Sequence, residues 1–156
     1  MPETDSTEAA LNARFASGRS PLLDLLGITF RVTPAGVTTH CRIADRHTRG
    51  LNIAHGGVLC TLLDTSLGAT AYAAALPRLQ AESEDRGERR ELVTLQLETH
   101  FIRPAWNGES LVGTGEVLHQ GRTTIVARGE VRTESGNLVV SGAATFMPTT
   151  VPSVAS

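Results

Sequence analysis

The run HGGVLCTLLDTSLGATAYAAALP, from His55 to Pro77, carries a single charged side chain, Asp64. Its apolar residues fall on every side of a 3.6-residue period, so it predicts a helix that other structure must cover almost all round. Ahead of it, Ser6 to Gly18 reads as a short helix, with Thr7 as cap, Glu8 in the first turn and Gly18 just past the end. The leucines of PLLDLLG, Pro21 to Gly27, predict one or two further turns. From Ile28 the period shortens to two. ITFRV, the turn TPAG (Thr33 to Gly36) and VTTHCRIA predict a hairpin, and a polar loop from Asp45 to Asn52 leads into the long helix.

Beyond Pro77, the stretch Arg78 to Glu91 is dense in charge and lacks a period, which predicts a solvated loop. Four strand-like segments follow: LVTLQLETHFIRPA, SLVGTGEVLHQG, RTTIVARGEVRTESG and NLVVSGAATFMP, with HQGR and ESGN as turns. In the first, alternation sets Val93, Leu95, Leu97 and Phe101 on one face and Thr94, Gln96, Glu98 and His100 on the other. The order predicts an α+β fold, a long central helix wrapped by a curved antiparallel sheet of about six strands. Residues 1–20 read as an N-terminal helical segment, 21–148 as the domain and 149–156 as a frayed tail.

At 156 residues the chain suits one domain with its own core. A net charge of −2 and the lack of any basic run argue against nucleic acid as a partner. Cys41 and Cys60 have no metal-type spacing, and the five histidines show no ligand pattern, so neither a metal nor another cofactor is expected. No secretory segment is read, and a reduced, cytoplasmic setting is the expectation. The apolar run approaches bilayer length, but Asp64, Thr61, Thr65, Ser66 and Thr70 within it speak against a membrane span.

Asp64 is the residue that asks for an explanation. An isolated carboxylate is rarely kept in an apolar setting unless something pairs with it or uses it. Through it, at helical spacing, run Gly57, Thr61, Gly68, Ala71 and Ala75, a stripe of small residues that admits another backbone or a thin ligand. Close packing alone would account for the stripe, though not for the charge within it. At the helix start, His55-Gly56-Gly57 offers unpaired first-turn amides and room for close approach, which suits a phosphate or an oxyanion. His55 and Asp64 are nine residues apart, roughly 13.5 Å along a helix and about half a turn out of phase. One chain therefore cannot aim both at one carbonyl, whereas a two-fold dimer can.

These residues match a known pattern. NIAHGGVLCTLLDTSLGATAYA, VTLQLETHFIRPA, GEVLHQGRTTIVARGEV and GNLVVSGAATFMP, taken in order, resemble the hotdog-fold thioesterases of the phenylacetate-degradation (PaaI-like) group over Leu22 to Pro148. The resemblance implies hydrolysis of acyl-coenzyme A at sites shared between subunits of a homodimer or homotetramer, with the acyl group lying between subunits. It implies Asp64 as nucleophile or general base, the Gly57 amide as the group polarising the thioester carbonyl, and His55 in support. Thr94 takes the place of a Ser or Thr near the attacking water. Gly56 and Asn52 border the substrate, and Arg103 and the Gly121-Arg122 turn lie where pantetheine and phosphates run. One departure stands out: many relatives carry Asn six residues before the HGG histidine, where this chain has Arg49. Asn52, three before His55, suits a left-handed turn position.

Two function classes follow, a thioesterase and a hotdog protein that binds acyl-coenzyme A without turning it over. A hydratase would want an Asp and a His five apart, which His55 and Asp64 are not. Cys60 lies off the face of His55 and reads as an inert thiol.

Overall fold

In the computed structural model, which describes residues 3–17 and 20–151, the chain opens with α1 (Glu3–Ser17) and α2 (Pro21–Leu26). The hairpin β1 (Thr29–Thr33) and β2 (Gly36–Arg42) comes next, then a turn of 3₁₀ helix at Asp45–His47 and the long helix α3 (Gly56–Arg86). Strands β3 (Arg89–Phe101), β4 (Ser110–Gln120), β5 (Ile125–Thr133) and β6 (Leu138–Val151) complete one antiparallel sheet in the order β1-β2-β4-β5-β6-β3. This is the α+β hotdog arrangement, a helix wrapped by a six-stranded sheet.

The sheet curls because α3 offers it apolar side chains over a wide arc. Leu62, Leu63, Leu67, Ala71 and Ala75 have no exposed surface, and α3 packs on β2, β3, β4, β5 and β6. By length and composition α3 could cross a bilayer. Here its apolar face fills the core of a sheet instead. The closest approach is at β4, where a Cβ on Gly113 would stand 2.0 Å from Ser66 Oγ. Ser66 in turn shares a 2.5 Å hydrogen bond with Thr39 on β2 and donates to the Leu62 carbonyl, so its buried hydroxyl is satisfied.

Several local expectations need correction. The charge-dense stretch after Pro77 is not a loop: α3 continues to Arg86 and ends on Gly87 in the left-handed conformation, and β3 starts at Arg89. Proline removes one helical hydrogen bond, but Leu79 is buried beyond it and ion pairs from Glu82 to Arg78 and Arg90 hold the last turns. Alternation in β3 is broken by a bulge between Thr94 and Gln96. Leu92 and Leu97 both pack on the core, while Val93 and Leu95 face outward, so Thr94 lies on the helix side rather than opposite Leu97. The tail is strand as far as Val151, and 152–156 lie outside the described residues. Helix α1 starts at Glu3, which puts Thr7 inside it rather than at its cap, and the expected end at Gly18 lies outside the described residues.

Candidate active site

Asp64 sits half-buried in the second third of the apolar run, and Thr94 Oγ1 donates a 2.9 Å hydrogen bond to its Oδ1. The bulge in β3 makes this contact possible, because it turns Thr94 toward α3. Oδ2 has no hydrogen bond among the described residues. The pair stands in the wall of a cleft of about 260 Å³ lined from α1, α2, α3, β1, β3 and β6. Its lining is aromatic and aliphatic, with Phe15, Phe30, Tyr72, Phe146, Leu23 and Leu92 around a few polar groups.

The helix face that lines the cavity is Asp64, Thr65, Gly68, Ala69 and Tyr72. The expected stripe is therefore only half right. Gly68 belongs to the cavity, while Ala71 and Ala75 turn into the core against the sheet. Across the cavity, Arg14 of α1 donates to both carboxylate oxygens of Glu91, at 2.9 and 3.0 Å, and lies 5.4 Å from the centroid of the Tyr72 ring. Phe15 stacks on Phe30 with ring centroids 4.4 Å apart. Sequence reasoning placed Tyr72 near the site but missed Arg14, Phe15 and Glu91 as residues of this cavity. An N-terminal segment read as separate gives no sign that it docks here, and only the Phe15 and Leu11 positions on an otherwise polar helix hint at it.

The helix start is a second locus, distinct within one chain. His55 caps α3 and its Nδ1 accepts from Gly57 N–H at 2.9 Å. The Gly57 amide, expected to polarise a carbonyl, is thus already engaged. Gly56 N–H has no partner among the described residues, and a Cβ there would come within 3.4 Å of the Phe101 ring. The loop before it is tightly wound. Gly50, Leu51 and Asn52 all have positive φ, at 92°, 57° and 59°, which bears out Asn52 as a left-handed turn residue. Beneath it lies His47, buried, its carbonyl accepting from His55 N–H and its Nδ1 from Ala44 N–H. Burial holds the His47 pKa below the ordinary value, with repulsion from Arg46 adding to it. His47 was not singled out in the sequence, because a histidine in a polar loop carries no sign of burial.

The expected phosphate contacts divide. Arg103 is bound to Glu109 at 3.0 Å, and Glu109 also accepts from Trp106 N–H, so this arginine braces its own loop and is not a free cation. Arg122 is exposed in the β4–β5 turn, where the Gly121 carbonyl accepts from Arg78 of α3. Neither lines the Asp64 cavity.

A family model, the Thioesterase superfamily, matches residues 51–140, from the wound loop to the start of β6. The chain belongs to this superfamily. Within it, the medium/long-chain acyl-CoA thioesterase YigI of Escherichia coli (strain K12) is 33% identical over 98 residues, 62% of this chain and 63% of that protein. The chain thus spans less than two thirds of that relative's length. Among solved structures, the E. coli PaaI protein from the phenylacetic acid degradation operon is 24% identical, with a TM-score of 0.70 over 91% of this chain and 94% of that one. A hypothetical thioesterase from Streptococcus pneumoniae TIGR4, solved with coenzyme A, is also 24% identical, with a TM-score of 0.64 over 81% and 88%. The hotdog fold and the thioesterase superfamily read from the sequence both hold.

Proposed function

We propose that this protein hydrolyses acyl-coenzyme A thioesters, with aryl or medium-chain acyl groups as substrates. The carrying observation is the Asp64–Thr94 pair in the wall of an apolar cavity, in a chain of the thioesterase superfamily. Asp64 acts as nucleophile, or as the base whose free Oδ2 takes a proton from water while the water oxygen attacks the thioester carbon. Collapse of the tetrahedral intermediate expels the coenzyme's thiolate, which is then protonated. The developing oxyanion is met at the start of α3. Gly56 N–H has no bond to give up there, whereas Gly57 N–H must first leave His55.

The two loci combine across a two-fold axis. β3 is an edge strand of 13 residues with one side unpaired; Thr94 lies near its middle and Phe101, beside Gly56, at its end. Antiparallel pairing of two β3 strands about a point near Leu97 brings the Phe101 end of one copy beside Thr94 of the other. That supports a homodimer, or a tetramer of such dimers, with shared sites. Arg122 and the Gly121 turn are the proposed steering points for the coenzyme's phosphates. Free thiols at Cys41 and Cys60 suit a reducing cytoplasm.

A panel of acyl-coenzyme A substrates assayed for thiol release tests the proposal. Turnover is expected on aryl and medium-chain members, and Asp64→Asn should lower it by at least about 10²-fold. Binding of coenzyme esters without any thiol release would favour the second reading, an acyl-coenzyme A binding protein.

A further inference from the structure

The cleft beside Asp64 is lined by residues of one chain, which bears on where the acyl group goes. Its two ends differ in character. At one stand Asp64 and Thr94; at the other the Arg14–Glu91 ion pair rests against Tyr72. Tyr72 is eight residues beyond Asp64 on α3, so the cavity extends about 12 Å along the helix. An extended chain advances about 1.2 Å per bond, by the reach of a polypeptide, so this length takes about ten bonds. The volume, about 260 Å³, agrees: at roughly 30 Å³ per water-sized group it holds eight or nine carbons.

Glu91 is held from two sides, since Arg89 also donates to it at 2.7 Å. The end wall is therefore a braced ion pair and not a loose side chain. Arg14 is about 30% exposed, and only its Nε is buried without a partner, so lengthening the acyl group past this point would mean breaking its pair with Glu91 and turning the guanidinium out toward solvent.

We propose that the acyl group lies in this cavity between α1 and α3 of a single chain, and that Arg14, held by Glu91 over Tyr72, is the specificity-determining end wall that limits acyl length to about ten carbons. The inference rests on the thioesterase reading and differs from the expectation that the acyl group lies between subunits. It also makes α1 part of the site, since Phe15 and Arg14 supply one side of the cavity.

The test compares octanoyl- and tetradecanoyl-coenzyme A as substrates of the full-length protein and its Arg14→Ala variant. Wild type should favour octanoyl, and Arg14→Ala should raise the tetradecanoyl-to-octanoyl ratio of kcat/KM about tenfold or more, the low end of what one methylene is worth in an apolar pocket. Glu91 keeps Arg89 in that variant; should it still fail to fold, Glu91→Gln, which loosens the same wall, is expected to move the ratio in the same direction. An unchanged ratio in a folded variant overturns the proposal. Calorimetric binding of octanoate and tetradecanoate separates this failure from that of the hydrolase reading. If no coenzyme ester is hydrolysed but the variant still shifts acid binding toward the longer chain, the function is wrong and the acyl cavity stands. If acid binding shows no such shift, the cavity assignment falls as well.

Discussion

Thr94 donates its hydroxyl to one oxygen of Asp64 and so fixes the direction of the other. Hydrogen bonds to charged groups contribute about 1.5–3 kcal/mol, so Thr94→Val should lower kcat by about tenfold or somewhat more, less than Asp64→Asn, and Thr94→Ser should restore most of it. Steady-state kinetics on octanoyl-coenzyme A checks this, and a Val variant with wild-type kcat would remove Thr94 from the site. His47 acts through the loop that carries His55. Its folded pKa is lowered, first by burial and then by Arg46, so on acidification the unfolded chain binds the proton before the folded one does. Stability from this residue is full above the unfolded value of about 6.5 and declines as pH falls below it. Urea unfolding at pH 7.5 and 5.5 should show the loss, and His47→Gln should reduce its pH dependence. His40, lowered by burial and by Arg31, contributes in the same sense. At this scale the sequence picked out Asp64, His55, Thr94 and Asn52 from spacing and resemblance. It did not reveal that Arg103 pairs with Glu109, a carboxylate six residues away that only the fold of the loop brings to it.

Among the elements, α3 and the sheet define each other. Helix α3 can lie this close to β4 because Gly113 leaves room for the Ser66 and Thr39 hydroxyls. Gly113→Ala should destabilise the protein by about 1–3 kcal/mol, the usual cost of overpacking, and adding Ser66→Ala should recover part of it. Chemical denaturation of the single and double variants measures both. Periodicity alone revealed α3 and six strands but missed two features. The charge-dense end of α3 lacks an apolar stripe, and its helicity rests on Leu79 docking and on pairs such as Arg90–Glu82 that join it to β3. The β3 bulge shifts the strand's faces by one residue, and no residue type at Thr94-Leu95-Gln96 announces it.

For the whole molecule, the open edge of β3 is the feature on which the proposed dimer rests. Thirteen residues of unpaired strand edge, with Leu95 and Phe101 each 55% exposed, favour pairing with a second copy. Sedimentation at micromolar concentration should show a dimer or a larger even assembly, and a stable, active monomer would dissolve the shared site. Some properties of this protein needed only its sequence. The α+β order, the buried central helix, the carboxylate within it and the glycine-rich helix start all depend on local periodicity, capping and spacing, which a single chain segment records. The cavity beside Asp64, proposed to take the acyl group, did not. It exists because α1 places Arg14 against Glu91, 77 residues on in the chain, and Phe15 on Phe30, contacts set by packing between segments that share no local pattern. Tertiary structure also moved Thr94 onto the helix side and gave the Gly57 amide to His55, because a bulge and a cap redirect groups whose identities the sequence lists but whose directions it leaves open.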